Sequence, residues 1–489
     1  MQEAERLDHK PSSRATPTCP FPSSSPHSQT PASWRSNIML QRTSFSLRLG
    51  TPAFMRARRV KHLLRSFSGQ GPPDDLPLSG IRVLELGQLI AGPFGSQLLS
   101  QYGAEVIKIE PPKIGDPLRV WREIDVDGTS PWFRSIGRNK KSVVIDMRKV
   151  EGRELVKRLA LKSDVVLENF KPGTLEKWGL GPADLRAINP SLIFTRVSGY
   201  GQTGPWAARP GYAAVCEAES GFRYINGFPD AKTGSLSGAP VRPNMSLGDS
   251  VAGLHAAFGT VLALLARQRQ ESSGATAIGK TVDVSIVESM LNLMEGVIPE
   301  YDRKNKIRGP SGSSVTGIVP SNAYPCKPEN PSQTTPTYVV IGGNGDSIYA
   351  RLMTAIGRTD LTGPDYAQNH HRVARQPEIE LAISTWTAQH TPTEVIETMD
   401  KAGVPVGRVV NVEDLMKNEQ VAARGTIREV PVKDWTVKMQ ATFPVIDGVD
   451  SQPKWAGPDL GSHTDQVLKE DLGLTDAELA ELRGNGIIG

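Results

Sequence analysis

The chain has 489 residues, room for two or more domains, and its 38% apolar and 22% charged content suits a soluble globular protein with a disordered portion. The net charge of +4 comes from one end: residues 1–75 hold 11 Lys/Arg and 5 Asp/Glu, and removing these from totals of 56 and 52 leaves 45 basic and 47 acidic residues. No basic stripe alternates with aromatics, no apolar run reaches membrane-spanning length before Gly or charge breaks it, and Cys19, Cys216 and Cys326 are unpatterned. These features argue against nucleic acid, a membrane span, a disulfide framework and a zinc site, and they point to a reducing compartment.

Residues 9–73 contain no Asp or Glu. Residues 11–37 are rich in Ser, Pro and Thr and read as disordered. From Met39 the stretch "MLQRTSFSLRLGTPAFMRARRVKHLLRSFSGQ" is Arg- and Ser-rich and acid-free, the composition of a mitochondrial transit peptide, with "RSFS" at Arg65–Ser68 resembling a matrix-processing site. Glu3, Glu5 and Asp8 disfavour import from Met1, so Met39 is the alternative start, and the matrix is the expected location.

The body begins at Pro77. Strands are predicted at Ile81–Leu86, Ala104–Glu110, Ser142–Met147, Asp164–Phe170 and Leu192–Tyr200, with helices near 93–102, 150–161 and 182–188. This alternation predicts an α/β protein built on an open, doubly wound parallel sheet, whose ligands bind beyond the strand carboxyl ends. Those ends read "GQLIAGP", "EPPKIGD", "ENFKPG" and "GYGQTGP", rich in Gly, Pro and amides. The absence of G-x-G-x-x-G after the first strand and of G-x-x-x-x-G-K-[ST] disfavours a nicotinamide dehydrogenase or a P-loop NTPase. "NKK" at Asn139–Lys141 reads either as a solvated loop or as charge near a ligand's phosphates.

Farther on, "SLGDSVAGLHAAFGTVLALL" (Ser246–Leu265) reads as a buried helix with one acid, Asp249, at its mouth. Asp249 fits an N-cap, which its local sequence favours, and a chemical role is the other reading; both hold in one geometry, where the helix dipole keeps the carboxylate ionised. His255, six residues on, falls on another face and reads as a packed helix histidine. Lys280–Met294 reads as a strand running into a helix. The Gly-rich stretches "GPSGSSVTG" (309–317) and "GGNGD" (342–346) are candidates to fold over a site. A smaller α+β unit is predicted to begin at Thr337 and to reach about residue 430. Helices capped by Thr464 and Thr475 follow. Arg242 and Arg308 are candidates to bind a substrate carboxylate.

Taken in order, "PLSGIRVLELGQLIAGPFGSQLLSQYGAEVIKIEPP", "GRNKKSVVIDM", "VLENFKPGTLEKWGLG", "GYGQTGP", "SLGDSVAGLHAAFG" and "LGSHTDQVL" resemble the family III CoA-transferases, the CaiB/BaiF family, over residues 77–489. The resemblance implies a Rossmann-like large domain at 77–300, a small domain with linkers at 301–430, and a segment 431–489 that returns to the large domain. It implies two subunits interlocked as a homodimer. It also implies that Asp249 carries the covalent chemistry. Position by position, it implies CoA contacts at Ile90, Ala91, Ile145, Arg148, Asn169, Phe170, Lys171, Lys177 and Tyr212. Two departures stand out: Pro111 and Pro210 occupy positions where some members carry a basic residue, and Arg209 is a neighbour that could replace the second.

The implied reaction moves CoA from an acyl-CoA, succinyl-CoA in similar mitochondrial members, to a carboxylic acid through an aspartyl-CoA thioester at Asp249. This is nucleophilic catalysis that requires no metal and no bound cofactor beyond the CoA substrate. It does require exclusion of water from anhydride and thioester intermediates. The alternative is a 2-methylacyl-CoA racemase, which needs two acid/base groups flanking the α-carbon. Racemase relatives carry a His where this chain has Tyr212.

Overall fold

Six strands form one parallel sheet, and their order sets the location of the site. In the computed structural model, which describes residues 76–332 and 335–489, they are β1 (Arg82–Glu85), β2 (Glu105–Glu110), β3 (Lys140–Val144), β4 (Val165–Glu168), β5 (Ile193–Ser198) and β6 (Thr281–Ser285). The order across the sheet is β3-β2-β1-β4-β5-β6, all parallel. The chain winds outward one way from β1 and then the other way from β4. Between β1 and β4 lies the switch point of a doubly wound sheet, where the connections leave in opposite directions and open a crevice. The expected α/β architecture is therefore the observed one. The transit-peptide reading, the Met39 start and Cys19 fall on residues 1–75, outside the described residues.

The strands are apolar because both faces of the sheet are covered. Leu84 stands opposite Ile107 on one side and Val166 on the other, and all three are fully buried. Helix α1 (Ala91–Gln101) connects β1 to β2, α2 (Val150–Leu161) leads from β3 to β4, and α3 (Pro182–Ile188) leads from β4 to β5. After β5 come α4 (Ala213–Glu219) and the 26-residue α5 (Leu247–Ser272), then β6 and α6 (Ile286–Asn292).

Helix α5 departs from the reading of broken apolar runs. Gly253 and Gly259 do not interrupt it; they let it pack. A Cβ at Gly253 would sit 2.7 Å from the Ala91 carbonyl, and one at Gly259 would sit 2.6 Å from Val282. The uninterrupted helix is apolar and long enough to cross a membrane by composition alone, with a hydropathy of 1.5. Here it packs on α1 and on β6, and its outer face carries exposed Leu254, Phe258, Val261, Leu262 and Leu265.

A second layer of structure follows. Strands β7 (Ser321–Cys326), β8 (Thr337–Gly342) and β9 (Val406–Arg408) form an antiparallel sheet with β8 in the middle. Helices α7 (Asp346–Ala355), α8 (Gln376–Thr387) and α9 (Pro392–Ala402) cover it, and Tyr324, Val339, Ile341, Leu352, Ile383 and Met399 share its core. This unit starts earlier than the expected Thr337, because β7, with Pro325 inside it, is an edge strand that the sequence pattern hides. The hairpin β10 (Ile427–Val432) and β11 (Trp435–Gln440) comes next. Helices α10 (Thr464–Leu472) and α11 (Asp476–Gly484) then pack Val467, Leu468 and Leu479 into the core beside Ile107, Val156 and Leu159.

Two local expectations change at this end. Thr464 is the first residue of α10 and not its cap; its hydroxyl accepts the Val144 N–H at 3.0 Å and ties α10 to β3. Thr475 does cap α11, reciprocally with Glu478. Strand β3 also starts and ends earlier than expected, since the chain after Val144 leaves β2: Ile145 bridges Ile488 and the Asp146 N–H bonds the Ile487 carbonyl.

Candidate active site

The turn after β1 is held from three sides. The Asn169 side chain, just past β4, accepts the Gln88 N–H at 2.8 Å and donates to the Gln88 carbonyl at 2.9 Å. Asp116 accepts the Leu89 N–H, and Lys108 donates to the Gly87 carbonyl. Leu89 sits at φ 63°, a conformation that costs a branched residue energy and persists only when its surroundings enforce it. Gly87 has to lack a side chain, because a Cβ there would lie 2.9 Å from Asn169 Oδ1. The bridge from Asn169 to Gln88 spans the β1/β4 switch point, where the sheet opens its crevice.

Below the turn lies a closed set of charges. Lys108 Nζ is 2.7 Å from Glu85 and 2.8 Å from Asp116, and Lys140 Nζ is 2.8 Å from Glu85. All four groups are buried. The two lysines hold Glu85 far below the ordinary carboxylate range, at about 2. Lys140 also donates to the Pro93 carbonyl, so it is neither solvated nor available to a ligand's phosphates. Lys141 pairs with Glu105.

Asp249 stands on the opposite wall. It is the third residue of α5, whose cap position is Ser246, so the N-cap reading fails. Gly253, one turn farther on, touches the Ala91 carbonyl region, which brings the head of α5 to the head of α1. The Asp249 carboxylate accepts no hydrogen bond among the described residues. Burial and then the neighbouring Glu217 push its pKa up to about 6, while Arg242 pulls it down. With a pKa of about 6 the group is still mostly ionised at neutral pH.

Glu217 was not singled out from the sequence, where "CEAES" looks like an ordinary helix face. Its side chain is fully buried, accepts the Gly248 N–H at 3.1 Å, and takes two bonds from Arg223 at 2.9 and 2.7 Å. Cys216 beside it has a thiol pushed up to about 11 by burial and then by Asp249, which leaves it inert. The loop after β5 packs against this wall: a Cβ at Gly199 would meet Gly211 at 3.1 Å and Cys216 at 3.2 Å. In that loop Tyr200 Oη and Gln202 Nε2 are buried without hydrogen-bond partners among the described residues. Buried polar groups of this kind are uncommon unless a ligand completes them.

The structure gathers Ile90, Ala91, Asn169, Tyr212 and Asp249 around this crevice, with Tyr212 exposed at the head of α4. Phe170, Lys171 and Lys177 follow the end of β4; Phe170 packs edge-on to Trp178, and both lysines are exposed. The Phe170 N–H bonds Glu168, a buried acid that desolvation pushes up to about 7 despite its Arg196 partner. Ile145 and Arg148 lie apart, past the edge strand β3. The Ile145 side chain belongs to the core and its N–H is used by the Glu110 carbonyl. Arg148 is exposed and pairs with Asp146 at 2.8 Å.

The remaining candidates sort by their partners. His255 bonds Ser289 at 3.0 Å and is a packed histidine, as expected. Arg308 is tied to Glu300. Arg209 stacks on Trp206 and lies 3.5 Å from Glu219. Among the Gly-rich stretches, "GGNGD" is anchored: buried Arg372 donates to the Asn344 carbonyl and to Asp346, both at 2.8 Å.

A doubly wound sheet with a carboxylate, Asp249, at the head of the helix beside its switch-point crevice defines an α/β protein that can hold a ligand on backbone turns. The family model described as CoA-transferase family III matches residues 78–464, and the chain belongs to that family. It is an enzyme of the CoA-transferase type. It is 42% identical to the succinyl-CoA–D-citramalate CoA-transferase of Chloroflexus aurantiacus, over 86% of this chain and all of that protein. It is 31% identical to the human succinyl-CoA:glutarate CoA-transferase, over 88% of this chain and 97% of that one. A solved CaiB/BaiF family protein from Brucella suis superimposes with a TM-score of 0.69 at 30% identity, covering 81% of this chain and 99% of that chain.

Proposed function

We propose that the enzyme moves CoA from succinyl-CoA to a dicarboxylic acid by way of an aspartyl-CoA thioester at Asp249. The observation that carries this reading is the placement of the Asp249 carboxylate: it sits at the head of α5, where that helix meets the head of α1, with no hydrogen bond among the described residues. A carboxylate that is neither capped nor paired is desolvated without compensation, and that cost makes it a better nucleophile. One Asp249 oxygen attacks the donor thioester carbon; a C–O bond forms, the C–S bond breaks, and CoA leaves as thiolate. The thiolate attacks the Asp249 carbonyl of the mixed anhydride, forming the enzyme thioester and releasing succinate. The acceptor carboxylate then attacks that thioester and expels the thiolate. The thiolate finally attacks the acceptor's acyl carbon, giving the new CoA ester and restoring Asp249. No electron or net proton is exchanged.

CoA lies against the 87–91 turn and the ENF segment, with Ile90, Ala91, Asn169, Phe170, Lys171, Lys177 and Tyr212 around it. Ile145 and Arg148 are reached only where the cofactor extends past β3. Three relatives named for succinyl-CoA and citramalate, malate or glutarate support the donor and the acceptor class. The stripe Leu254, Phe258, Val261, Leu262 and Leu265, spaced along one face of α5, is covered by a second copy in a homodimer. The enzyme is imported into the mitochondrial matrix.

Purified protein incubated with succinyl-CoA and citramalate, malate and glutarate is expected to yield new CoA esters by mass. The racemase alternative is not favoured, since Tyr212 stands where racemases carry their His. α-Proton exchange on a 2-methylacyl-CoA without any transfer would reverse that judgement.

A further inference from the structure

Four charged groups meet at the head of α5. Glu217 is completed by Arg223 and the Gly248 N–H. Arg242, on the loop that leads into α5, comes no closer than 4.0 Å to Glu217, and its side chain is 48% exposed. With Asp249 ionised, the two acids and two arginines sum to zero. Esterification of Asp249, as anhydride or as thioester, removes one negative charge, and nothing else in the cluster changes. Arg223 stays bound to Glu217, so the excess positive charge falls on Arg242, the arginine with the loosest partner and the most freedom to turn. The other candidate cations are committed: Arg308 to Glu300, and Arg209 to Trp206 and Glu219.

We propose that Arg242 is a carboxylate-binding subsite that is switched on by esterification of Asp249, and that its ligand is the far carboxylate of a four- or five-carbon dicarboxylic acid. This rests on the aspartyl-CoA reading above. A planar guanidinium matches a carboxylate with two parallel bonds, and the match strengthens when no competing anion is nearby. The free enzyme sets two anions, Glu217 and Asp249, beside Arg242; the thioester leaves only Glu217, which Arg223 already binds. The covalent intermediate therefore attracts an acidic acceptor and offers nothing comparable to neutral water. The same charge balance favours dicarboxylates over monocarboxylates of equal length.

The test uses full-length enzyme, Arg242→Met and Arg242→Lys, with succinyl-CoA as donor and either glutarate or pentanoate as acceptor. The readouts are acceptor KM and kcat, free CoA released to water, and the Asp249–CoA adduct by mass. Arg242→Met is expected to raise the glutarate KM about 10- to 100-fold. It should lower the glutarate-to-pentanoate preference by a similar factor, with more CoA lost to water per transfer and the adduct still formed. Arg242→Lys is expected to restore most of the loss. An unchanged glutarate KM, or equal losses for both acceptors, overturns the subsite while leaving the aspartyl-CoA reading intact. A wild-type enzyme that transfers CoA without an adduct at Asp249 overturns both.

Discussion

Two clusters of buried charge lie at the carboxyl ends of the same parallel sheet, and only one of them is closed. Under the β1 turn, Glu85, Asp116, Lys108 and Lys140 are all buried and paired within 2.8 Å. At the head of α5, Glu217 is satisfied, Asp249 accepts no hydrogen bond and Arg242 stands 4.0 Å from its nearest acid. Both regions bury carboxylates, so burial does not distinguish them; completeness of pairing does. A finished network fixes a shape. An unfinished one retains a group whose energy changes when a ligand arrives or a bond forms.

The largest expected effect tests the open cluster. Asp249→Ala should reduce CoA transfer by on the order of a thousandfold or more, with little change in thermal stability. Transfer surviving at wild-type rate would show that the open cluster holds no nucleophile. The closed cluster should respond in the opposite sense. Lys108→Met leaves Glu85 and Asp116 with one cation between them, so unfolding should cost about 3–5 kcal/mol less, read as a lowered denaturant midpoint. Because Glu85 is held at about 2 against an ordinary 4.5, its contribution is fully present above pH 4.5 and is lost as pH falls toward 2.

Asn169→Ala should raise the KM for the CoA donor about tenfold while kcat moves less, since both of its bonds hold the Gln88 turn and not the reacting atoms. In pH–rate profiles, kcat/KM should fall on the acid side with a midpoint near 6, where Asp249 of the free enzyme takes up a proton. Glu217→Gln removes the negative neighbour that raises that value, so the midpoint should move to lower pH. The smallest effect belongs far from both clusters: Thr475→Ala removes the capping box of α11 and should cost about 1 kcal/mol of stability with no change in activity.

Much of the sheet was legible because a parallel strand buried on both faces is a short apolar run between polar turns, and β1, β2, β4 and β5 all have that form. The bounds of α2 and α3 were readable for the same reason, with amphipathic spacing opened by Val150 and by Pro182. Strand β7 was hidden, since "SNAYPC" is polar, contains a proline and belongs to an edge. Asp249 was legible only as an acid before an apolar run, and the family motifs around it raised it above a cap. What no local pattern shows is which distant charges converge. Lys140 read either as part of a solvated loop or as charge near a ligand's phosphates, and it is buried against Glu85, which lies 55 residues earlier in the chain. Glu217 lies in no motif the sequence singled out, and it sits against Gly248 and raises the Asp249 pKa. Charge pairing across the switch point is a property of topology, and strand order is not written in any one segment.

The most direct measurement is mass analysis of the enzyme after brief mixing with succinyl-CoA alone, followed by digestion and peptide mapping. The peptide containing Asp249 is expected to gain the mass of CoA less one water, and the gain to disappear when glutarate is added. Sustained transfer with that peptide unmodified throughout, or the CoA adduct on a different residue, would contradict the aspartyl-CoA thioester at Asp249.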